Sequence, residues 1–171
     1  MSIDTARRLA LAWCATLAAP AALAHGEAHK PPAAGAVVKE QKPWGIAGDR
    51  NGARTIEIRM DDRMRFTPAH LELREGETVR LRVANRGKLL HELVIGTREE
   101  LQTHAELMKK HPGMEHDEPY MAHVAAGRRG ELVWHFNRPG TFQFACLLPG
   151  HFEAGMVGTL VVTPVSPEKK P

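Results

Sequence analysis

Cysteine is scarce in this chain, which has two cysteines in 171 residues. Cys14 lies in an apolar N-terminal run, so Cys146 has no evident disulfide partner in the remainder of the sequence. The formal net charge is only +3, and the sequence has no basic patch with interleaved aromatic residues, which argues against nucleic acid as a partner. No internal repeat is present, which excludes a repeat architecture.

The first 24 residues have the pattern of a secretory signal peptide. Arg7 and Arg8 precede LALAWCATLAAPAALA, an apolar run of roughly sixteen residues, and Ala22 and Ala24 are the small residues that a signal peptidase accepts. A membrane span needs about twenty apolar residues, so cleavage after Ala24 is favoured over an anchor. We therefore expect a periplasmic mature chain that begins at His25 and has no membrane span. In that oxidising compartment, a single thiol must be buried or bound to something.

The rest of the chain is predicted to contain one domain between two flexible ends. Residues 25–50 are rich in Pro, Gly, Ala and charged residues without a sustained period, which indicates a flexible arm. Residues 51–165 form the predicted domain, and residues 166–171 a C-terminal tail. Alternating polar and apolar residues predict strands at 54–60, 70–74, 78–84, 90–95, 131–136, 141–145 and 157–162.

One segment interrupts this β pattern. Thr97 and Glu100 fit a capping box, and Leu101, Ala105 and Met108 recur at helical spacing before a Pro-Gly pair ends the run. The sequence therefore predicts an all-β fold, a Greek-key β-sandwich of about seven or eight strands with one inserted helix-plus-loop segment.

The stretch FACLLPGHFEAGM, residues 144–156, brings a thiol, an imidazole and a thioether close together in sequence. Cys146, His151 and Met156 form a soft donor set that favours copper over hard cations. Proline and glycine in the same stretch let the loop bend back between two strands. His91, at the start of an apolar strand, is the best candidate for a second nitrogen donor. Two His, one Cys and a weak axial Met make up the blue-copper electron-transfer site.

Residues 54 to 163 resemble the cupredoxins, the single-domain type 1 copper proteins that include azurins, pseudoazurins and plastocyanins. The resemblance rests on His91, followed by Cys146-x4-His151-x4-Met156 and a terminal strand. HELVIG, residues 91–96, and CLLPGHFEAGM further suggest the exported cupredoxins associated with copper tolerance. Many cupredoxins have Asn directly after the upstream histidine, and its side chain ties the two ligand loops together. This chain has Glu92 at that position, which raises the question of what makes the connection here.

The resemblance implies electron transfer through one redox-active copper rather than enzymatic turnover. The His-x-His pairs of multicopper oxidases are absent, since none of the ten histidines has another two positions away. It also implies that a redox partner docks near His151, on an apolar patch formed by Leu147, Leu148, Pro149 and Phe152. Two alternatives stay open: a periplasmic copper scavenger or chaperone without a redox partner, and a β-sandwich in which Cys146 is buried and inert.

Two further clusters are candidates for weaker copper sites. His25 would offer its α-amino group and imidazole after signal cleavage, with His29 nearby, although a polar tail explains the same residues. The second cluster combines thioethers and imidazoles, donors that suit Cu(I), and its alternative reading is a solvated loop with packing methionines. Its members are Met108, His111, Met114, His116, Met121 and His123.

Overall fold

Two five-stranded sheets pack face to face in the computed structural model of the protein, which describes residues 39–112 and 117–166. The first sheet has the strand order β1-β8-β5-β2-β3, and the second has the order β4-β10-β9-β6-β7. The strands are β1 (Ile46–Ala47), β2 (Arg54–Asp61), β3 (Arg65–Thr67), β4 (His70–Arg74), β5 (Glu77–Asn85), β6 (His91–Gly96), β7 (Met121–Val124), β8 (Arg129–Phe136), β9 (Gly140–Ala145) and β10 (Val157–Thr163).

The core lies between the two sheets, because alternate residues of each strand point inward. Ile58, Leu81 and Trp134 contribute from the first sheet, and Phe144 and Leu160 from the second; all five are buried. The predicted all-β sandwich with an inserted helix is thus confirmed. The described residues contain ten strands rather than seven or eight. The additional strands β1, β3 and β7 have two to four residues, too few to show an alternating pattern.

Residues 42–47 belong to the sandwich, which corrects the predicted domain boundary at residue 51. Trp44 is only 3% exposed, and Ile46 of β1 pairs with His135 of β8. The Nε1–H of Trp134 donates a hydrogen bond of 3.1 Å to the Trp44 carbonyl. A Cβ on Gly45 would lie 2.3 Å from the His135 carbonyl oxygen, so only glycine permits this approach. The predicted signal peptide and residues 25–38 of the predicted arm lie outside the described residues.

The inserted helix α1 (Arg98–Lys110) covers the outer side of the second sheet. Its predicted capping box is present, with the Glu100 N–H donating to the Thr97 hydroxyl and the Thr97 N–H donating to the Glu100 carboxylate. Leu101, Ala105 and Met108 pack in a second apolar cluster with residues of β6, β7 and the loop after β9. Strand β6 is therefore covered on both faces, and all six of its residues are buried. In the described residues, no helix has the length and apolarity that a membrane crossing requires.

The register of β6 and β9 brings the two halves of the predicted site to one end of the second sheet. These strands are antiparallel neighbours, with Val94 opposite Ala145. His91 therefore begins β6 at the same end at which Cys146 follows β9. The prediction that the strand carrying His91 lies beside the strand that ends at Cys146 is confirmed.

Candidate metal centre

Three nitrogen and sulfur donors converge at this end of the sandwich. The Nδ1 atoms of His91 and His151 are 3.2 Å apart, and the Cys146 Sγ is 3.2 Å from the same His151 nitrogen. One donor atom from each residue lies within 4.8 Å of the others. This is the only such group of three or more His, Cys, Asp or Glu side chains within the described ranges. One thiol and two imidazoles around one point are donors suited to a soft or borderline transition metal.

The loop between β9 and β10 presents Cys146, His151 and Met156 from a short closed segment. The Cys146 N–H donates to the Met156 carbonyl at 3.1 Å, and the Met156 N–H donates to the His151 carbonyl at 3.1 Å. Gly150 and Gly155 have φ values of +86° and +85°, which allow the tight reversals predicted for this loop. Met156 is fully buried next to the first residue of β10. Its backbone is therefore held directly against those of the two other loop residues.

Burial controls the protonation of two of these donors. It raises the pKa of the Cys146 thiol to about 12, although backbone hydrogen bonds from Glu92 and Leu148 favour the thiolate. Burial and the nearby His91 lower the pKa of His151, so its imidazole is neutral at neutral pH. A metal that binds here displaces the thiol proton and meets a lone pair on His151, which fits the chemistry of a copper site.

The distal nitrogen of His91 contacts an aspartate that the sequence analysis did not identify. The Asp62 Oδ1 lies 3.0 Å from His91 Nε2, and His91 is fully buried. The backbone N–H of Lys88 holds the pKa of Asp62 below its usual value, and the His91 bond acts in the same direction. No signal in the sequence linked residues 29 positions apart, because their proximity depends on how the two sheets pack.

Glu92 ties the strand of His91 to the loop of Cys146, which answers the question that its position raised. The Leu147 N–H donates to Glu92 Oε1 at 2.8 Å, and Glu92 Oε2 is 2.8 Å from His123 Nε2. The Glu92 side chain is 1% exposed. A carboxylate therefore connects the two segments that carry the predicted ligands, at the position where many cupredoxins have an asparagine side chain.

Several members of the second predicted copper cluster have other structural roles. Met108 and Met121 are buried in the apolar cluster beneath α1, as the packing interpretation expects. His111 is the exposed C-cap of α1, and His123 contacts Glu92. Met114, His116, His25 and His29 lie outside the described residues.

The predicted apolar patch around His151 differs in one member from the observed surface. Leu147 is 1% exposed and packs beneath α1, so it is not available for docking. His151, Leu148 and Phe152 are half-buried, and Pro149 is exposed. Leu89 and Leu90, which precede His91, are 47% and 46% exposed. Sequence reasoning missed these two leucines because they come near His151 only through the contact between the His91 and His151 rings, and no local pattern shows that contact.

The comparisons with known proteins agree with this geometry. The family described as copper binding proteins, plastocyanin/azurin family, matches residues 54–163. The copper-resistant cuproprotein CopI of Rubrivivax gelatinosus is 47% identical over 156 residues, covering 90% of this chain and 92% of that protein. The protein of the same name in Pseudomonas aeruginosa is 33% identical over 178 residues, covering 85% and 88%. The structure of auracyanin B matches with a TM-score of 0.59 and 28% identity, covering 69% of this chain and 94% of that one.

The family match spans more than half of the sequence and includes His91, Cys146, His151 and Met156. The relative from Rubrivivax gelatinosus extends the similarity over nine tenths of the chain. The chain therefore belongs to the plastocyanin/azurin family of copper-binding proteins, the cupredoxins.

Proposed function

We propose that this copper-binding cupredoxin is an exported type 1 copper protein that transfers electrons and serves copper tolerance. His91, Cys146, His151 and Met156 are the proposed ligands. The observation that carries the proposal is the convergence of two imidazole Nδ1 atoms and one buried thiol within 4.8 Å. Tolerance is supported by the two relatives that are named copper-resistant cuproproteins.

The protein frame suits electron transfer because it limits movement of the donors. Copper bound by such a set supplies one-electron chemistry between its two common oxidation states. His91 belongs to a fully buried strand, while the hydrogen bonds among Cys146, His151 and Met156 fix the shape of the loop. With three of the four side chains fully buried, the site offers little room for a substrate, which favours electron transfer over enzymatic turnover.

His151 is the proposed route for electrons between the site and a partner protein. It is the half-buried member of the ligand set, whereas the other three are fully buried. Leu148, Pro149 and Phe152 flank it in the loop, and Leu89 and Leu90 precede its neighbour His91. We propose that a redox partner docks on this apolar surface.

The metal assignment can be tested with one spectrum and two matched variants. Addition of Cu(II) to mature protein should give an intense blue absorption band from the thiolate bond, and Cys146→Ser should abolish it. Met156→Leu should shift the spectrum and the reduction potential, whereas Met121→Leu, at another buried methionine, should leave both unchanged. A well-folded, copper-loaded protein without the band would instead support a sandwich with an inert Cys146.

A second set of measurements separates an electron carrier from a copper store. A carrier exchanges electrons rapidly with a reduced cytochrome, and Leu89→Ser or Leu148→Ser should slow that exchange without changing the spectrum. A scavenger or chaperone would bind copper normally but exchange electrons slowly.

Peptide sequencing of exported protein checks the proposed cleavage after Ala24, since the first residue should be His25.

The additional copper sites remain a proposal with its own test. Mature protein should bind more than one copper, and blocking the α-amino group of His25 should remove the equivalent shared with His29. A Met114→Leu/His116→Ala double variant should weaken a further site if that loop binds Cu(I). Titration that stops at one equivalent would contradict both sites.

A further inference from the structure

We propose that Asp62 is a positioning residue for the copper ligand His91, which it holds in one tautomer and makes a stronger donor toward Cu(II). The proposal deepens the function proposed above and rests on His91 being a ligand. Asp62 is not in the predicted ligand set and lies outside the two motifs, residues 91–96 and 146–156, on which the predicted resemblance rests.

The contact joins the two sheets of the sandwich. Asp62 directly follows β2 in the first sheet, whereas His91 begins β6 in the second. The His91 side chain is 0% exposed, so its Nε2 has no access to bulk water, and Asp62 Oδ1 lies 3.0 Å from it. Loss of this partner would leave a buried ring nitrogen without a hydrogen bond, which would destabilise the folded protein.

The carboxylate is itself held in place by the loop before His91. The Lys88 N–H donates to Oδ2 at 2.7 Å, and the Leu89 N–H donates to Oδ1 at 3.2 Å. A Cβ on Gly87 would lie 1.9 Å from Asp62 Oδ1, so this approach requires glycine. The buried Asn85 closes the loop by donating to the Leu89 carbonyl at 2.7 Å and accepting from the Gly87 N–H at 2.8 Å. Asp62 is thus fixed relative to the ring that it contacts.

The chemistry of the two partners determines which nitrogen of His91 faces the metal. An ionised carboxylate only accepts hydrogen bonds, so the proton of a neutral His91 ring must be on Nε2. The lone pair is then on Nδ1, the atom that lies 3.2 Å from His151 Nδ1. A carboxylate on the distal nitrogen of a ligating histidine fixes ring orientation and raises ligand basicity. The added negative charge favours Cu(II) over Cu(I), because the ion with the higher charge gains more from it.

Asp62→Asn removes this charge at nearly constant shape, and the chain contains a matched control next to it. Asp61 bears the same charge, but its carboxylate binds Arg63 at 2.7 Å rather than His91. We expect Asp62→Asn to weaken Cu(II) binding by about 10–100-fold in ligand competition, with a smaller loss for Cu(I). Each tenfold difference between the two losses raises the reduction potential by about 59 mV. Asp61→Asn should change both affinities by less than about threefold.

Metal-free protein gives a second readout that does not depend on copper. Nitrogen-15 NMR should show the Nε2–H tautomer of His91 in the wild type and an added Nδ1–H population in Asp62→Ala. Thermal melting checks that each variant is folded; if Asp62→Ala does not fold, the comparison of Asp62→Asn with Asp61→Asn decides.

Equal Cu(II) affinities for Asp62→Asn and Asp61→Asn would overturn the proposal, and so would an unchanged tautomer in folded Asp62→Ala. These failures differ from failure of the proposed function. The proposed function fails if wild-type protein shows no blue band. The inference about Asp62 fails if the wild-type band is present but the two variants bind Cu(II) equally, or if the tautomer of metal-free His91 does not change in Asp62→Ala.

Discussion

Removal of the Glu92 carboxylate should destabilise the protein far more than removal of an exposed carboxylate. Glu92 is 1% exposed and connects β6 to the loop after β9 through the Leu147 N–H at 2.8 Å. Glu92→Ala would leave that buried N–H without its acceptor, at a cost of about 1–3 kcal/mol. Loss of the contact with the partly exposed His123 adds up to about 1 kcal/mol. We expect a total loss of about 1–4 kcal/mol.

Glu92→Gln separates the hydrogen bond from the charge. The glutamine amide oxygen can still accept from the Leu147 N–H, so the losses are limited to the gain from a charged acceptor and the carboxylate contact with His123, about 1–2 kcal/mol together. Glu57→Ala is the control, because Glu57 forms an exposed ion pair with Arg82 and is 55% exposed. Its removal should cost about 0–1 kcal/mol.

Urea denaturation of metal-free protein measures these differences directly. The midpoints should fall in the order wild type, Glu92→Gln, Glu92→Ala, with Glu57→Ala close to wild type and the urea dependence unchanged. If Glu92→Ala cost no more than Glu57→Ala, the buried link would not stabilise the loop. If Glu92→Gln were as damaging as Glu92→Ala, the charge rather than the hydrogen bond to Leu147 would be the main contribution.

Three further predictions concern the core, the thiol and a glycine. Trp44→Ala should lower the free energy of unfolding, measured by urea denaturation, by about 3–5 kcal/mol, because the indole is buried in the sandwich. A loss below about 1 kcal/mol would instead mean that Trp44 belongs to the predicted flexible arm and not to the core. The pKa of Cys146 is raised from 9.0 to about 12 on folding, so the unfolded chain loses this proton first as pH rises. The stability of metal-free protein relative to Cys146→Ala should therefore fall between pH 9 and pH 12, by up to about 4 kcal/mol, and a difference that is flat with pH would contradict the shift. Gly158→Ala should cost about 1–3 kcal/mol or more in thermal or urea unfolding, since the new Cβ would meet the buried Phe144 ring at 2.1 Å; a neutral effect would show that this ring can move.

The sequence was sufficient to predict the elements whose signals are local. The alternation in residues 78–84 predicted β5, and Thr97 with Glu100 predicted the start of α1, because strand faces and helix caps depend on neighbouring residues. The convergence of His91, Cys146 and His151 was predicted from donor chemistry together with the expected pairing of β6 and β9.

The features that escaped prediction depend on packing between distant segments. Asp62 reaches His91 only because the end of β2 lies against the loop before β6. Leu147 was expected on the surface beside Leu148, but α1 covers it, and no local pattern shows on which face a helix will pack. The strand β1 has two residues and no period, so its place beside β8 follows from Trp44 filling the core.

The position of β10 also decides when the site can be assembled. This strand directly follows Met156 and lies inside the second sheet, paired in parallel with β4 and antiparallel with β9. Thr159 is opposite His70, so this pairing joins segments 89 positions apart and closes late, after most of the sequence is available. A chain that stopped after Met156 would contain every proposed donor, yet it would lack the strand that lies between β4 and β9 and anchors the end of the loop. Capacity for the metal should therefore arise in one step with the insertion of β10, rather than growing donor by donor as the polypeptide lengthens.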